Sequence, residues 1–437
     1  VMTRKNNHLG LIFGFVFLDL LGYSLFLPLL PYYAETLGAT PVLTGILVAS
    51  NALAQFFASP IVGRLSDRLG RRPLLIFSIV GTLVSFLILG LAAPLGSLLA
   101  GATGLTLGTA TLAMLFASRV LDGLAGGNIS LARAYITDVT DEQNRAKGLG
   151  MIGAAFGLGF IIGPAIGGTL SNWGAAEALF ASVGLSRYAV PAFVAVVLAA
   201  LNLIGVVLLL PESLTDAQRA AAAQNPRRAF TARALVEALR RPRFGPLLNI
   251  RFFYNLAFTL FTANFSLYTL YRLQLTDQST SYVLTYVGML SVLVQGFAIG
   301  WLTRRFEERR LIFAASALMG VALLAWAIVP NVPLLLVVLA PLSLAGSVLN
   351  TITNSAVTKS IYPEEIGGAM GLSAALDSLT RVIAPLAGGL LLGRLGAWSL
   401  GVAGALMMVW VTAYAWQKLI VSPDPPLPGR VAGEAES

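Results

Sequence analysis

The sequence contains no cysteine and a single histidine, His8. A disulfide framework, a thiolate metal site and a thiol nucleophile are therefore excluded. His8 stands before the first apolar run, so a histidine proton relay further along the chain is excluded too. Charge is also scarce: Asp, Glu, Lys and Arg make up 11% of the residues, against roughly 25% in soluble domains. Hydrophobic residues make up 57% and mean hydropathy is +0.79. Water is not the main solvent of such a chain. It carries no nucleotide-cradling glycine loop, no His/Cys metal cluster and no polar stretch long enough for a catalytic domain. A membrane-bound enzyme or receptor thus lacks sequence support, and neither a metal nor a cofactor is expected.

What the sequence does have is long apolar runs. A bilayer core needs about 20 mainly apolar residues per helix, because backbone polar groups must be satisfied within the segment. Suitable runs lie near 9–32, 42–62, 74–93, 105–137, 148–170, 188–210, 246–270, 281–302, 311–329, 333–358, 366–392 and 397–418. They predict an all-α integral membrane protein with twelve transmembrane helices. The run from Leu9 is too long for a signal peptide and lacks its cleavage pattern. The Gly/Ala/Thr/Leu-rich stretch 94–116 reads as a long connection, a lengthened fourth helix or both.

The net charge of +9 falls in alternate loops, not on a stripe suited to nucleic acid, and no nucleic-acid partner is expected. Arg64, Arg68, Arg71, Arg72, Arg304, Arg305, Arg309, Arg310, Lys359 and the seven arginines from Arg219 to Arg243 share one side. Only Arg187, Arg272 and Arg394 fall on the other. Positive residues stay in the cytoplasm, so both termini are expected there, with the chain a multi-pass monomer in the lipid bilayer of the inner (plasma) membrane. Residues 1–210 and 246–421 form two six-helix halves. Between them, 211–245 is a polar linker with a surface-helix pattern, and the proline-rich tail 422–437 reads as disordered. The halves repeat each other: Leu124-Ala125-Gly126-Gly127 returns as Leu344-Ala345-Gly346-Ser347, and Pro164-Ala165-Ile166-Gly167-Gly168 as Pro385-Leu386-Ala387-Gly388-Gly389.

Between the second and third runs stands Gly63-Arg64-Leu65-Ser66-Asp67-Arg68-Leu69-Gly70-Arg71-Arg72-Pro73. Its glycines permit a tight turn, and its carboxylate and arginines can pair across the helix ends. This loop resembles that of the major facilitator superfamily, G-x-L-x-D-R-x-G-R-[RK], at every specified position. The fourth run, from Arg119 through Asp122 and Gly123 to Gly127, resembles the family's fourth-helix motif, whose intramembrane arginine is associated with proton coupling. Gly159, Gly163, Pro164, Gly167 and Gly168 resemble the fifth-helix motif of its antiporters. With Pro28 and Pro31, these features make the chain similar to twelve-spanner drug/proton antiporters, tetracycline exporters among them, over residues 10–420. The resemblance implies two pseudo-symmetric halves, a gate at the 63–73 loop, a proton as coupling ion, and export of a small amphipathic organic substrate. In the second half, Arg304 and Arg305 stand where Asp-Arg would be expected, so a carboxylate lock is expected in the first half alone.

From the residues alone, the spaced glycines of the fifth run also suit a packing seam. Ionised groups within a span are functional candidates because each costs about 2.5–3.5 kcal/mol to insert. They are Asp19, Arg119, Asp122, Asp377 and Arg381. Asp377 and Arg381, four apart, can pair on one helical face, as can Arg119 and Asp122. Asp19 has no cation within a turn, and Arg119 is the neighbour that the resemblance suggests. Asp138 is expected to join the Asp67–Arg68 network, and Arg251 to snorkel toward the interface. A mostly apolar cleft with a few polar groups is read from Tyr23, Phe26, Asn51, Gln55, Asn255, Phe258, Phe261, Asn264, Gln295, Asn350 and Asn354. The aromatic stripe among them equally suits packing. A metabolite facilitator or symporter is the rival reading.

Overall fold

The computed structural model describes residues 2–140, 142–214, 237–362 and 365–422. The expected linker helix falls largely within 215–236 and the expected disordered tail within 423–437, outside those residues. The described chain is helical throughout. In order, the helices are α1 (Met2–Phe26), α2 (Leu29–Thr36), α3 (Pro41–Leu69), α4 (Arg71–Gly90), α5 (Ala92–Thr103), α6 (Leu107–Ala125), α7 (Asn128–Val139), α8 (Glu142–Leu170), α9 (Gly174–Ser182) and α10 (Ala189–Leu209). They continue as α11 (Phe244–Ala263), α12 (Phe265–Leu273), α13 (Asp277–Leu293), α14 (Ile299–Arg305), α15 (Glu308–Ile328), α16 (Val332–Lys359), α17 (Ile366–Leu395) and α18 (Trp398–Ala415). A π-helical turn, Val294–Ala298, joins α13 to α14.

Among the described residues, 11 helical stretches are long and apolar enough to cross a membrane. The chain is an all-α, multi-pass membrane protein. The expected seventh run is divided at Asn264 into α11 and α12, because the Asn264 side chain donates to Leu260 O at 3.0 Å and Ala384 O at 3.2 Å and fills the space beside Gly388. In the stretch 94–116, residues up to Thr103 belong to the short helix α5 and those from Leu107 to the beginning of α6.

The chain divides into two compact units. One comprises Val1–Arg228 with Ser266–Met289; the other comprises Ala229–Phe265 with Leu290–Ser437. The division therefore does not fall at the linker alone, since Ser266–Met289 packs with the first helices. Within the first unit α1 lies on α8 and α10, α3 on α6, and α4 on both α6 and α10. Two apolar clusters fill it, one around Phe26, Tyr33, Phe86 and Tyr188, the other around Ile12, Leu75, Tyr135 and Val206. In the second unit α15 packs on α16 and α18, and α11 on α17 and α18. The Phe261 ring meets Trp326 edge-on at 5.0 Å there.

Close approach explains the glycine spacing of α8. A Cβ at Gly163 would strike Ser24, and one at Gly167 would strike the Leu25 carbonyl. Ser24 Oγ donates to Gly159 O at 2.7 Å, locking the seam with a hydrogen bond. Gly168 lies on another face of α8, against Ser281 of α13. Gly163→Leu is therefore expected to lower stability by about 1–3 kcal/mol, the usual cost of overpacking. Gly153→Leu, where nothing lies within 4 Å, is expected to leave it unchanged. Thermal unfolding midpoints of the two purified variants in detergent check the contrast.

Candidate functional site

The loop motif builds an ionic knot at one end of the first unit. Gly70 has φ +111°, a conformation that side chains with a Cβ rarely adopt, and this lets the chain turn from α3 directly into α4. Arg71, the first residue of α4, is buried, and its guanidinium reaches Asp67 at 2.7 Å, Asp138 at 2.9 Å and Ser66 Oγ at 2.6 Å. Asp138 thus joins the network through Arg71; Arg68 is exposed. Gly63 lies at the Ser66 turn, accepting from its Oγ. Glu212, which the sequence reading did not single out, accepts the backbone N–H groups of Arg71 at 2.9 Å and Arg72 at 3.2 Å. A carboxylate is a fitting cap for the positive end of a helix dipole. Arg72 extends to Val207 O at 2.6 Å.

Deeper in the same unit, the double glycine Gly126-Gly127 interrupts the fourth span between α6 and α7. The freed Gly126 carbonyl accepts from Gln55 Nε2 at 2.8 Å. Asn51 donates to Asp122 Oδ2 at 2.9 Å and to Arg119 O at 3.2 Å. Arg119 and Asp122 are both buried, paired at 3.6 Å. Arg119 also donates to the Ser85 and Ser118 hydroxyls and lies 5.8 Å from the centre of the Phe86 ring. Just beyond the break, Asn128 Nδ2 donates to Asp19 Oδ1 at 2.6 Å. The break places the first residue of α7 where it can reach α1. Among the described residues Asp19 is thus held by Asn128 and not by Arg119, while Asp122 lies within electrostatic reach of it. A cavity of about 20 Å³ adjoins Asp19, Asn128 and Asn202. Among the described residues, the side-chain oxygens of Asn128 and Asn202 have no donor.

The second unit holds a separate polar cluster that corrects two expectations. Arg251 does not snorkel: it is 5% exposed and grips Asp377 through Nε at 3.1 Å and Nη2 at 2.6 Å. Asp377 accordingly pairs with Arg251, and Arg381, expected as its partner, faces outward. Nη1 of Arg251 donates to Asn354 Oδ1 at 2.5 Å, Asn255 donates to Asp377, and Asn354 Nδ2 bonds the Asn350 carbonyl at 2.8 Å. The amides of three residues read from sequence as cleft-lining are thereby gathered around an arginine that was not. Other cleft expectations are corrected by packing. Phe26 and Phe261 are each 1% exposed within apolar cores, and Asn264 is buried at the α11–α12 break. Phe258 packs over Gly346, and Gln295 is exposed on the π-helical turn. Tyr23 is half-buried, one turn from Asp19.

The expectation that a carboxylate lock belongs to the first half alone also needs correction. In the second unit Glu308, at the start of α15, accepts from Lys359 Nζ at 3.0 Å and Ser355 Oγ at 2.8 Å at the end of α16.

A further network lies in the first unit. Tyr32 Oη bonds the hydroxyls of Thr269 at 3.3 Å and Thr280 at 2.6 Å. Arg187 pairs with buried Asp277 at 3.4 Å. Tyr271 donates to Glu35 at 2.7 Å. These bonds tie Ser266–Met289 to the rest of the unit.

Residues 12–298, and again 247–436, match the family profile of the Major Facilitator Superfamily. The tetracycline resistance protein, class C, of Escherichia coli is 30% identical over 392 residues, 88% of this chain and 89% of that protein. Solute carrier family 22 member 18 of Rattus norvegicus is 29% identical over 390 residues, 89% of each chain. Among solved structures, the human organic anion transporter MFSD10 matches with a TM-score of 0.64 at 23% identity, covering 94% of this chain and 99% of that one.

The Arg251–Asp377 geometry separates two variants. Arg251→Gln strands a carboxylate among amides and is expected to cost about 3 kcal/mol, the low end for a broken buried pair because Asp377 keeps some solvent access. Arg381→Gln is expected to change nothing. Thermal midpoints in detergent decide, and the reverse ranking would restore the Asp377–Arg381 pair.

Proposed function

Because the chain belongs to the Major Facilitator Superfamily, we propose that it is a secondary active transporter, a proton-coupled antiporter that exports amphipathic organic compounds by alternating access. It is not an enzyme. The observation that carries the reading is Asp19, a carboxylate midway along the first span whose hydrogen-bond partner among the described residues is an uncharged amide, Asn128. A carboxylate held by an amide gains or loses a proton without breaking an ion pair. Ionised, it has the repulsion of Asp122 to bear, and Arg119 tunes that repulsion through its own pairing with Asp122. A cationic or polar group of the substrate competes with the proton for the same oxygen atoms. Competition of this kind is what antiport requires, since each ligand biases one two-state equilibrium in the opposite direction. Asp377, by contrast, is held bidentately by the Arg251 guanidinium.

Similar proteins support the substrate class: tetracycline resistance proteins of classes C and H, and multidrug resistance protein 2 of Bacillus subtilis. The protein then works as a monomer in the plasma membrane, both termini cytoplasmic, with the Arg71 knot as a cytoplasmic gate and the glycines of α8 as the antiporter seam. Opening on the other side requires release of the bonds at Tyr32, Arg187 and Tyr271.

In sealed vesicles, an imposed proton gradient is expected to drive substrate accumulation by the unaltered chain. Asp19→Asn is expected to reduce it at least about tenfold, within the range of ordinary coupling energies, with insertion retained. Asp377→Asn is expected to do less. Equal accumulation with and without the gradient would identify a facilitator, and intact coupling in Asp19→Asn with loss in Asp377→Asn would move the switch to the second unit. Asp67→Asn is expected to slow transport at matched abundance, because Arg71 loses one of its two carboxylates.

A further inference from the structure

The two loops that join paired spans in the first and second units spend their arginines differently. In the first unit Arg71 is buried and consumed by Asp67, Asp138 and Ser66. In the second, Arg304 and Arg305 in the last turn of α14 and Arg309 and Arg310 in the first turn of α15 all stand exposed. Two carboxylates lie among them. Glu308 is taken by Lys359 and Ser355, and Glu307 meets Arg310 at 3.6 Å with both side chains 72% exposed. Such an exposed pair contributes little. Arg304, Arg305 and Arg309 have no ion pair or hydrogen bond among the described residues, so the turn keeps a net positive charge facing outward.

Apolar surface continues from this charge along the span. Trp301 is 56% exposed, with the Arg305 guanidinium 5.7 Å from its ring centre and Phe306 edge-on at 6.2 Å. One turn further into the apolar run, Phe297 is 78% exposed. Cationic groups at the end of a membrane span, over an aromatic residue and an open apolar face, match the two parts of a phospholipid. Arginine suits phosphate through its planar fork of donors, and Trp favours the level of the headgroups.

We propose that residues 297–310 form a binding site for an anionic phospholipid, with Arg304, Arg305 and Arg309 on its headgroup and Phe297 and Trp301 along its chains. Zwitterionic lipids carry a compensating cation that these arginines repel, so the site discriminates by headgroup charge.

The full chain reconstituted in vesicles with brominated acyl chains provides the test, since bromine quenches the fluorescence of a tryptophan it touches. The signal of Trp301 is the difference between the unaltered chain and Trp301→Phe. It is expected to show a preference for brominated phosphatidylglycerol over brominated phosphatidylcholine of at least about threefold, as clustered basic residues attract anionic headgroups. That preference is expected to shrink at about 0.5 M salt through screening. It is expected to disappear in Arg304→Gln/Arg305→Gln/Arg309→Gln and to persist in Arg64→Gln, which alters an exposed arginine of the first unit. Because the three substituted side chains are exposed, retained elution and helicity are expected. Equal quenching of Trp301 by both lipids, or an unchanged preference in the triple variant, would overturn the proposal whether or not the protein couples transport to protons.

Discussion

Charge inside a hydrocarbon slab has to be answered within the protein, because an ionised side chain at mid-span costs about 2.5–3.5 kcal/mol on insertion scales. The chain meets that constraint with small closed sets of partners. Arg119 is answered by Asp122 and two serines, and Arg251 by Asp377 and Asn354; Arg71, at the head of its span, is answered by two carboxylates and a hydroxyl. Each set draws on at least two helices, so satisfying the charge also fixes how those helices cross. The glycine seams follow from the same demand: backbones must come close for short polar side chains such as Ser24 to reach a neighbouring carbonyl. Asp19 is the exception, answered by an amide instead of a cation.

The spans were legible because length and apolarity are local properties, and the loop motif was legible because its Gly, Asp and Arg spacing describes one turn. Partners across helices were not. Asp377 has an arginine four residues on, and helical spacing favours that pair, yet the guanidinium that holds it comes from Arg251, 126 positions earlier. Nothing in the spacing around Arg251 distinguishes a buried ligand of a carboxylate from an interfacial side chain. Asn128 carried a readable signal that went unused: a polar residue directly after Gly126-Gly127, where a broken helix redirects its next side chain. The aromatic stripe of α11 suited packing as well as a cleft, and for Phe261 packing prevailed, because Trp326 stands 5.0 Å away.

The two units solve the same problem with opposite signs. Arg71 begins α4 and grips Asp138 near the end of α7; Glu308 begins α15 and grips Lys359 at the end of α16. In both, a charged residue opening one helix is tied to the closing turn of another. The second arrangement engages a lysine, and Arg304, Arg305 and Arg309 stand exposed beside it without an ion pair among the described residues.

The carboxylate that caps α4 comes from a residue beyond the sixth of the apolar runs. Glu212 closes the backbone donors of Arg71 and Arg72 from more than a hundred residues downstream. During synthesis from the N-terminus, the start of α4 emerges and inserts well before that cap exists. The Arg71 turn is therefore completed only after α10 has left the ribosome. Glu212 then acts as a clasp on the assembled first six spans, so a chain truncated before α10 would lack the closure of its most recognisable loop.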